Sequence, residues 1–244
     1  MSTIIEIKSK DNERIRLLRK LGQKKFRDKL GLFFVENLKI IEDNKVIPEM
    51  VFSVDKKILS KIDAKEKFLI TSLVNKSFSL LDTPSGICAI YKKDESLIDF
   101  KERIVYLNGI NDPGNLGTIL RSALAFGFNN IILDEFCADL YNPKTINASK
   151  DAIFKLNFSF DKNNRVLNEI KKKMKVFATN LAGGKDPETL KNKKQFCIIL
   201  GNEARGVDAK LLKLADGFIK IDMKGDIESL NVATSASIIF YVLS

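Results

Sequence analysis

Three polar turns hold most of the side chains that could do chemistry, and each follows an apolar run. The first spans Asn108 to Arg121 (Asn-Gly-Ile-Asn-Asp-Pro-Gly-Asn-Leu-Gly-Thr-Ile-Leu-Arg). The second is Gly201-Asn202-Glu203-Ala204-Arg205-Gly206, and the third runs from Ile221 through Met223 to Ser229-Leu230-Asn231. Together they offer the amides of Asn115, Asn202 and Asn231, the hydroxyl of Ser229, the carboxylate of Glu203 and the guanidinium of Arg121. Such groups orient substrates and bind charge through hydrogen bonds. Histidine is absent, so the commonest general base and commonest metal ligand are both missing. Cys88, Cys137 and Cys197 form no C-x-x-C pair, which argues against zinc and thioredoxin chemistry, and no metal is expected. Cys88 and Cys197 are expected in the core and Cys137 at the surface. Neither G-x-G-x-x-G nor G-x-x-x-x-G-K-[ST] occurs, so a nicotinamide-dependent oxidoreductase would lack its fingerprint.

The elements around these turns alternate. Strands are predicted over 104–108, 130–133, 152–158, 175–179, 196–200 and 218–221, and helices over 116–127, 163–173, 187–193, 207–215 and 230–243. Strands alternating with helices imply a mainly parallel sheet, which gathers its strand ends on one edge and binds ligands there. Asp112-Pro113-Gly114 is turn chemistry, and Asn115 stands where a helix N-cap belongs. The first part reads as a smaller α/β unit. It has a basic helix over 11–30 closed by Gly31, then strands at 32–35, 51–54, 68–70 and 86–91 with a helix through Leu38–Ile41. The charged stretch from Lys92 to Arg103 lacks a sustained apolar stripe and reads as a linker. The expected domains are 1–95 and 104–244, joined by 96–103.

The 244 residues are 45% apolar with a net charge of +10, which fits a folded core and excludes a disordered chain. Ten Lys/Arg and three acids lie between Lys8 and Lys29, so that segment carries +7 and the rest +3. A stripe of this density suits a phosphate backbone, and Arg14, Arg16, Arg19, Lys20, Lys24, Lys25 and Arg27 are the candidate contacts. A solvated helix face is the plain alternative. The stripe has few large apolar partners, which disfavours a membrane surface. No apolar run reaches membrane-span length and the N-terminus lacks a signal-peptide pattern, so a cytoplasmic protein is expected.

Each site candidate also has a purely structural reading. Asn115, Ser229 or Asn231 could cap a helix, Arg121 could lie on a polar helix face, Glu203 could pair with a lysine, and Gly201 and Gly206 could only make a turn. Residue types alone name no reaction.

Taken together, the three turns resemble the three motifs of SpoU-type RNA methyltransferases in the SPOUT superfamily. Asn-x-x-Asp-Pro-x-Asn-x-Gly-x-x-x-Arg, Leu-Gly-Asn-Glu-x-x-Gly and Ser-Leu-Asn-Val follow in the family's order over residues 104–244. Residues Ile15 to Glu36 are similar, more loosely, to the family's L30e-like substrate-binding domain. The resemblance implies an α/β knot whose last helix threads a loop, an exception to the rule against knots. It further implies S-adenosylmethionine as cofactor, methyl transfer to a ribose 2′-hydroxyl of RNA, and a homodimer. An L30e-like extension suits large structured RNA, so ribosomal RNA of the 23S type is expected before transfer RNA. The alternative is an RNA-binding protein that kept the fold without catalysis.

The same resemblance assigns roles. Gly201, Asn202, Ile221, Met223 and Leu230 would hold the cofactor, largely through backbone groups. Asn115 would organise the site, Arg121 would be the essential arginine, Glu203 would support the geometry, and Ser229 and Asn231 would lie near the cofactor and target ribose. Asp222 stands where the family usually has proline. The family proposal makes Arg121 the base, but a guanidinium stays protonated. A milder reading has Arg121 clamp an RNA phosphate and orient the hydroxyl.

Overall fold

The computed structural model describes residues 3–94, 97–180 and 183–244. The chain forms two compact units, one made of 1–94 with 141–147 and the other of 95–140 with 148–244. The predicted boundary at Glu95 and Ser96 lies outside the described residues.

The first unit carries β1 (Ile4–Ile7), α1 (Glu13–Leu21), α2 (Lys24–Leu30), β2 (Leu32–Val35), α3 (Leu38–Asp43), β3 (Met50–Ser53), α4 (Lys56–Lys61), β4 (Glu66–Ile70), α5 (Ser72–Lys76) and β5 (Ile87–Lys92). Its sheet order is β1-β4-β3-β5-β2. The β1/β4 and β3/β4 pairs are parallel, while β5 runs antiparallel to both β3 and β2. Ile15, Leu18 and Leu21 of α1 meet Phe34, Phe52, Phe68 and Ile90 in one core. The single basic helix predicted over 11–30 is instead two helices. Gly22 and Gln23 interrupt it, and Gln23 is extended where it precedes α2. Gly31 closes α2 in the left-handed region at φ 63°, as the sequence suggests. Strand β1 is an addition, since Ile4–Ile7 shows little alternation.

The second unit carries β6 (Ile104–Leu107), α6 (Pro113–Ala125), β7 (Asn130–Asp134), α7 (Pro143–Ser149, whose first five residues count with the first unit), β8 (Asn157–Asp161), α8 (Arg165–Lys173), β9 (Val176–Thr179), β10 (Cys197–Leu200), α9 (Ala209–Leu214), β11 (Gly217–Ile219) and α10 (Val232–Leu243). Every neighbour in its order, β11-β9-β10-β6-β7-β8, is parallel. β6, β7 and β10 are buried at every residue, as a sheet covered on both faces requires. Leu107 is in register with Leu133 and Leu200, so Asn108, Asp134 and Gly201 emerge on one edge. From β6 the chain steps to β7 on one side, and later β10 fills the other. This reversal is the crevice where open α/β sheets take ligands.

Three predicted elements differ. Residues 150–154 are a 3-10 turn, with Lys150 at φ 57°, and the strand starts only at Asn157. The helix predicted over 187–193 is one 3-10 turn, Pro187–Leu190. The strand over 218–221 stops at Ile219. The presumed linker also packs: Ile98 and Phe100 lie on the second unit's core, and the Arg103 guanidinium donates to the carbonyls of Lys191, Lys193 and Leu243 at 2.9, 3.1 and 2.6 Å. Two apolar residues spaced by one and a long arginine stem suffice to hold this charged segment down. Among the described residues no helix is long and apolar enough to cross a membrane.

Candidate active site

The first turn is anchored from below. Gly109 takes φ +65°, a region open to glycine, and its N–H donates to both oxygens of Asp134 at 3.0 and 3.1 Å. Asn108 donates from Nδ2 to Asp134 (2.7 Å) and Asp208 (3.0 Å), and its Oδ1 accepts from the Asp208 N–H at 2.8 Å. One buried amide thus ties the ends of β6 and β7 to the start of α9. The turn then enters α6 through Asp112, not Asn115. Asp112 Oδ1 accepts from the Asn115 N–H at 2.7 Å, and Pro113 fills the first helical position, which has no need of an N–H.

This correction frees the Asn115 side chain. Its Nδ2 donates in a short hydrogen bond to Glu203 Oε1, and its Oδ1 accepts from Asn231 Nδ2 at 3.1 Å. Asn231 also caps α10, its Oδ1 accepting from the Ala233 and Thr234 N–H groups at 2.9 and 3.3 Å. Asn231 thus caps α10 and also holds Asn115. A continuous relay, Asn231 to Asn115 to Glu203, joins the third, first and second turns.

The second turn is tight. Asn202 and Gly206 exchange backbone hydrogen bonds at 3.0 and 2.8 Å, with Gly206 at φ +68°. A Cβ on Gly201 would lie 2.3 Å from Gly206 C and Val207 N, so only glycine allows this closure. Asn202 reaches back to the first turn, donating from Nδ2 to the Gly109 carbonyl at 2.8 Å.

The third turn offers backbone. Among the described residues, none of the backbone N–H or C=O groups of 221–230 is hydrogen-bonded within the chain. Ile221, Met223 and Leu230 are half-buried there, and Ser229 is exposed with no polar partner among the described residues. Free backbone donors and acceptors beside half-buried apolar side chains fit an adenosine moiety held mainly by main-chain contacts. Ser229 does not cap α10, which settles its structural reading.

Arg121 is exposed and makes no hydrogen bond or ion pair within the described chain. Six residues beyond Asn115, it stands about 9 Å along the helix and about 120° around it. The relay and Arg121 are therefore separate features of one helix. α6 and α10 meet through Ser122 and Ser237 (Oγ–Oγ 2.7 Å), and Phe128, just beyond α6, stacks on Phe240 of α10 at 4.6 Å.

Asp134, Asp208 and Asp112 support these turns but were not among the site residues read from the sequence. The available signal was a polar residue at the C-terminal end of an apolar strand, as Asp134 is. Beneath them the fully buried Tyr106 hydroxyl lies 3.1 Å from Asp161 Oδ2, and burial pushes its phenol far above the ordinary range. Cys137 is less exposed than predicted. It is half-buried, its sulfur lies 3.2 Å from the Leu107 carbonyl, and burial raises its thiol. Cys88 and Cys197 are core residues, as expected. Among the described residues no group of acids and cysteines could hold a metal.

In the first unit the basic stripe is less uniform than its sequence. Arg27 is buried and donates to the Leu21 carbonyl at 2.7 Å, so it caps α1 and cannot be a surface RNA contact. Arg14 is partly buried, paired with Glu66 at 2.8 Å and lying 4.7 Å over the Phe68 ring. Lys24 pairs with Asp28 at 2.5 Å. Arg16, Arg19, Lys20 and Lys25 are exposed.

Residues 102–241 match the family described as SpoU rRNA Methylase. The chain is 30% identical to the Bacillus subtilis 23S rRNA (guanosine(2553)-2′-O)-methyltransferase RlmP, covering 98% of both chains. An AdoMet-bound rRNA methyltransferase from Sinorhizobium meliloti superposes with a TM-score of 0.87 at 25% identity, covering 98% of this chain and 97% of that one. The crystal structure of an RNA 2′-O ribose methyltransferase gives 0.80 at 26% identity, with 98% of each covered. The chain belongs to the SpoU rRNA methylase family and is a methyltransferase with that family's α/β fold.

Proposed function

We propose that this methyltransferase transfers a methyl group from S-adenosylmethionine to a ribose 2′-hydroxyl of ribosomal RNA, of the 23S type. The observation that carries the reading is the side-chain relay Asn231–Asn115–Glu203, which draws three separated motifs together at the C-terminal edge of a parallel sheet. S-adenosylmethionine, when bound, supplies an electrophilic methyl group. Gly201, Asn202, Ile221, Met223 and Leu230 would hold it, through the closure at Gly201 and the free main-chain groups after β11.

The remaining task is to align a weakly acidic hydroxyl and let its proton leave. Asn115 is held from both sides, so its amide and the Glu203 carboxylate keep a fixed geometry. Arg121 is exposed, its five donors unengaged among the described residues, and serves as the clamp on an RNA phosphate next to the target ribose. Ser229, exposed two residues before Asn231, is assigned to the ribose. The first unit, residues 1–94 with 141–147, is assigned to RNA binding as an L30e-like domain, through Arg16, Arg19, Lys20 and Lys25. We further assign a cytoplasmic homodimer with a knotted C-terminus. Support for the dimer is the α6–α10 pair, which leaves Tyr241 68% exposed against the edge of Phe126.

The test is methyl transfer from labelled S-adenosylmethionine to deproteinised RNA from a strain lacking this protein, followed by digestion to nucleosides. A labelled 2′-O-methylnucleoside is expected. Arg121→Ala should lower its formation by at least about a hundredfold, roughly 2.7 kcal/mol of transition-state stabilisation, with stability unchanged within about 0.5 kcal/mol. Label on a base would overturn the ribose chemistry.

A further inference from the structure

The first unit holds a groove that none of the predicted RNA contacts lines. It lies between the β1–α1 loop and α5, has a volume of about 440 Å³, and is bounded by Lys8, Lys10, Asp11, Leu73, Lys76 and Ser77 among others. Its loop wall is ordered from within. The Asp11 N–H donates to Ser9 Oγ at 3.1 Å, the Asn12 N–H to the Ser9 carbonyl at 3.3 Å, and Arg19 Nη2 reaches from α1 to the Lys10 carbonyl at 2.5 Å. Three lysines face one aspartate. Lys8 has a loose, exposed pairing with Glu6 at 3.4 Å, whereas Lys10 and Lys76 have no ion-pair partner among the described residues. Leu73 is 74% exposed on α5, the helix that also carries Lys76, an apolar surface the core does not use.

These features suit a ligand that carries both negative charge and an apolar face. The cleft is open to solvent, so it suits part of a larger ligand. Its volume falls within the usual range for ligand sites of about 300–1,000 Å³. Unpaired nucleotides present a phosphate and a flat apolar face together, and RNA is read mainly where bases are splayed out. We propose that the groove seats one unpaired nucleotide of the RNA substrate, its phosphate on Lys10 and Lys76 and its apolar face on Leu73. The proposal rests on the RNA-methyltransferase reading and adds to it a place where the substrate's single-stranded character is sensed. It also shifts the centre of RNA contact away from Arg14 and Arg27, which the fold has already engaged.

The test uses the full chain and two probes, deproteinised large-subunit ribosomal RNA and a single-stranded oligoribonucleotide of mixed sequence. Affinity is measured across a salt series for wild type, for the double variant Lys10→Ala/Lys76→Ala, and for Leu73→Ser. The double variant should bind at least about tenfold more weakly, and its log–log salt slope should fall by about 1.4 for two lost phosphate contacts on single-stranded RNA. Leu73→Ser should weaken binding with the slope unchanged, because an apolar contact releases no counterions. S-adenosylmethionine binding, measured by calorimetry, should be the same in all three proteins. Wild-type RNA binding with an unaltered slope in the double variant would overturn the groove while leaving the RNA reading intact. Failure of the wild type to bind either RNA would overturn both.

Discussion

The two sheets place their polar groups in different ways. In the second unit all strand pairs are parallel, so the ends of β6, β7 and β10 share one edge, and a side chain from each turn can reach the next. In the first unit β5 is antiparallel to both neighbours, so strand ends fall on both edges and no such convergence forms. Its charge sits instead on short helices and a loop, spread over a surface. Convergence suits a reacting centre, where groups must be fixed within fractions of an ångström. Spread charge suits a polymer, which needs many weak phosphate contacts and little geometry. The parallel or antiparallel choice of one strand thus separates the part fit for chemistry from the part fit for grip.

Substitutions can break this contrast. The largest effect is expected for Asp134→Ala. It removes the acceptor of the Gly109 and Phe136 N–H groups and one of the two acceptors of the buried Asn108 amide, which keeps only Asp208. A loss of about 3 kcal/mol in denaturant unfolding of the second unit is expected, with methyl transfer falling in step. Unchanged stability would mean that the turn does not depend on its anchor. Arg27→Ala comes next, at about 2 kcal/mol, for an unsatisfied helix end and lost packing. Its RNA salt slope should stay that of the wild type, which separates an internal cap from a phosphate contact. A slope lowered by about 0.7 would return Arg27 to the RNA surface.

The smallest effect is on pH dependence. Glu36 is 7% exposed with Oε1 unpaired, and burial holds its carboxyl above the ordinary range. A carboxyl raised in the folded state contributes most below its unfolded pKa, about 4.3, and loses that contribution as pH rises through the folded value. Glu36→Gln does not titrate. Its melting temperature should match wild type near pH 4 and exceed it by about 2 °C near pH 7. A gap independent of pH would show that ionisation of Glu36 plays no part.

Much of the second unit could be read from the sequence because its signals are local. Apolar runs bounded by turns gave β6, β7 and β10, and the spacing of Leu116, Ile119, Leu120 and Ala123 gave α6. The errors have common physical causes. Asn115 looked like a cap because a capping side chain and a bridging one are the same residue type, and only the contact with Glu203, 88 positions away, tells them apart. Arg27 looked like part of a basic stripe because spacing does not show that its guanidinium turns back onto Leu21. Residues 96–103 read as a linker because charge outweighs apolar residues in composition, while Arg103 finds carbonyl partners far along the chain. The motifs are local and the contacts that join them are not.

The central claim is that three turns of the second unit form one cofactor site closed at Gly201. Calorimetric titration with S-adenosylmethionine, of wild type and of Gly201→Ala, tests it most directly. An added methyl must displace backbone that lies 2.3 Å away, at a cost of about 3 kcal/mol. One cofactor per chain is predicted for wild type, with at least about hundredfold weaker binding for Gly201→Ala, while circular dichroism and RNA affinity stay those of a folded first unit. Equal cofactor affinity in the two proteins would contradict the account.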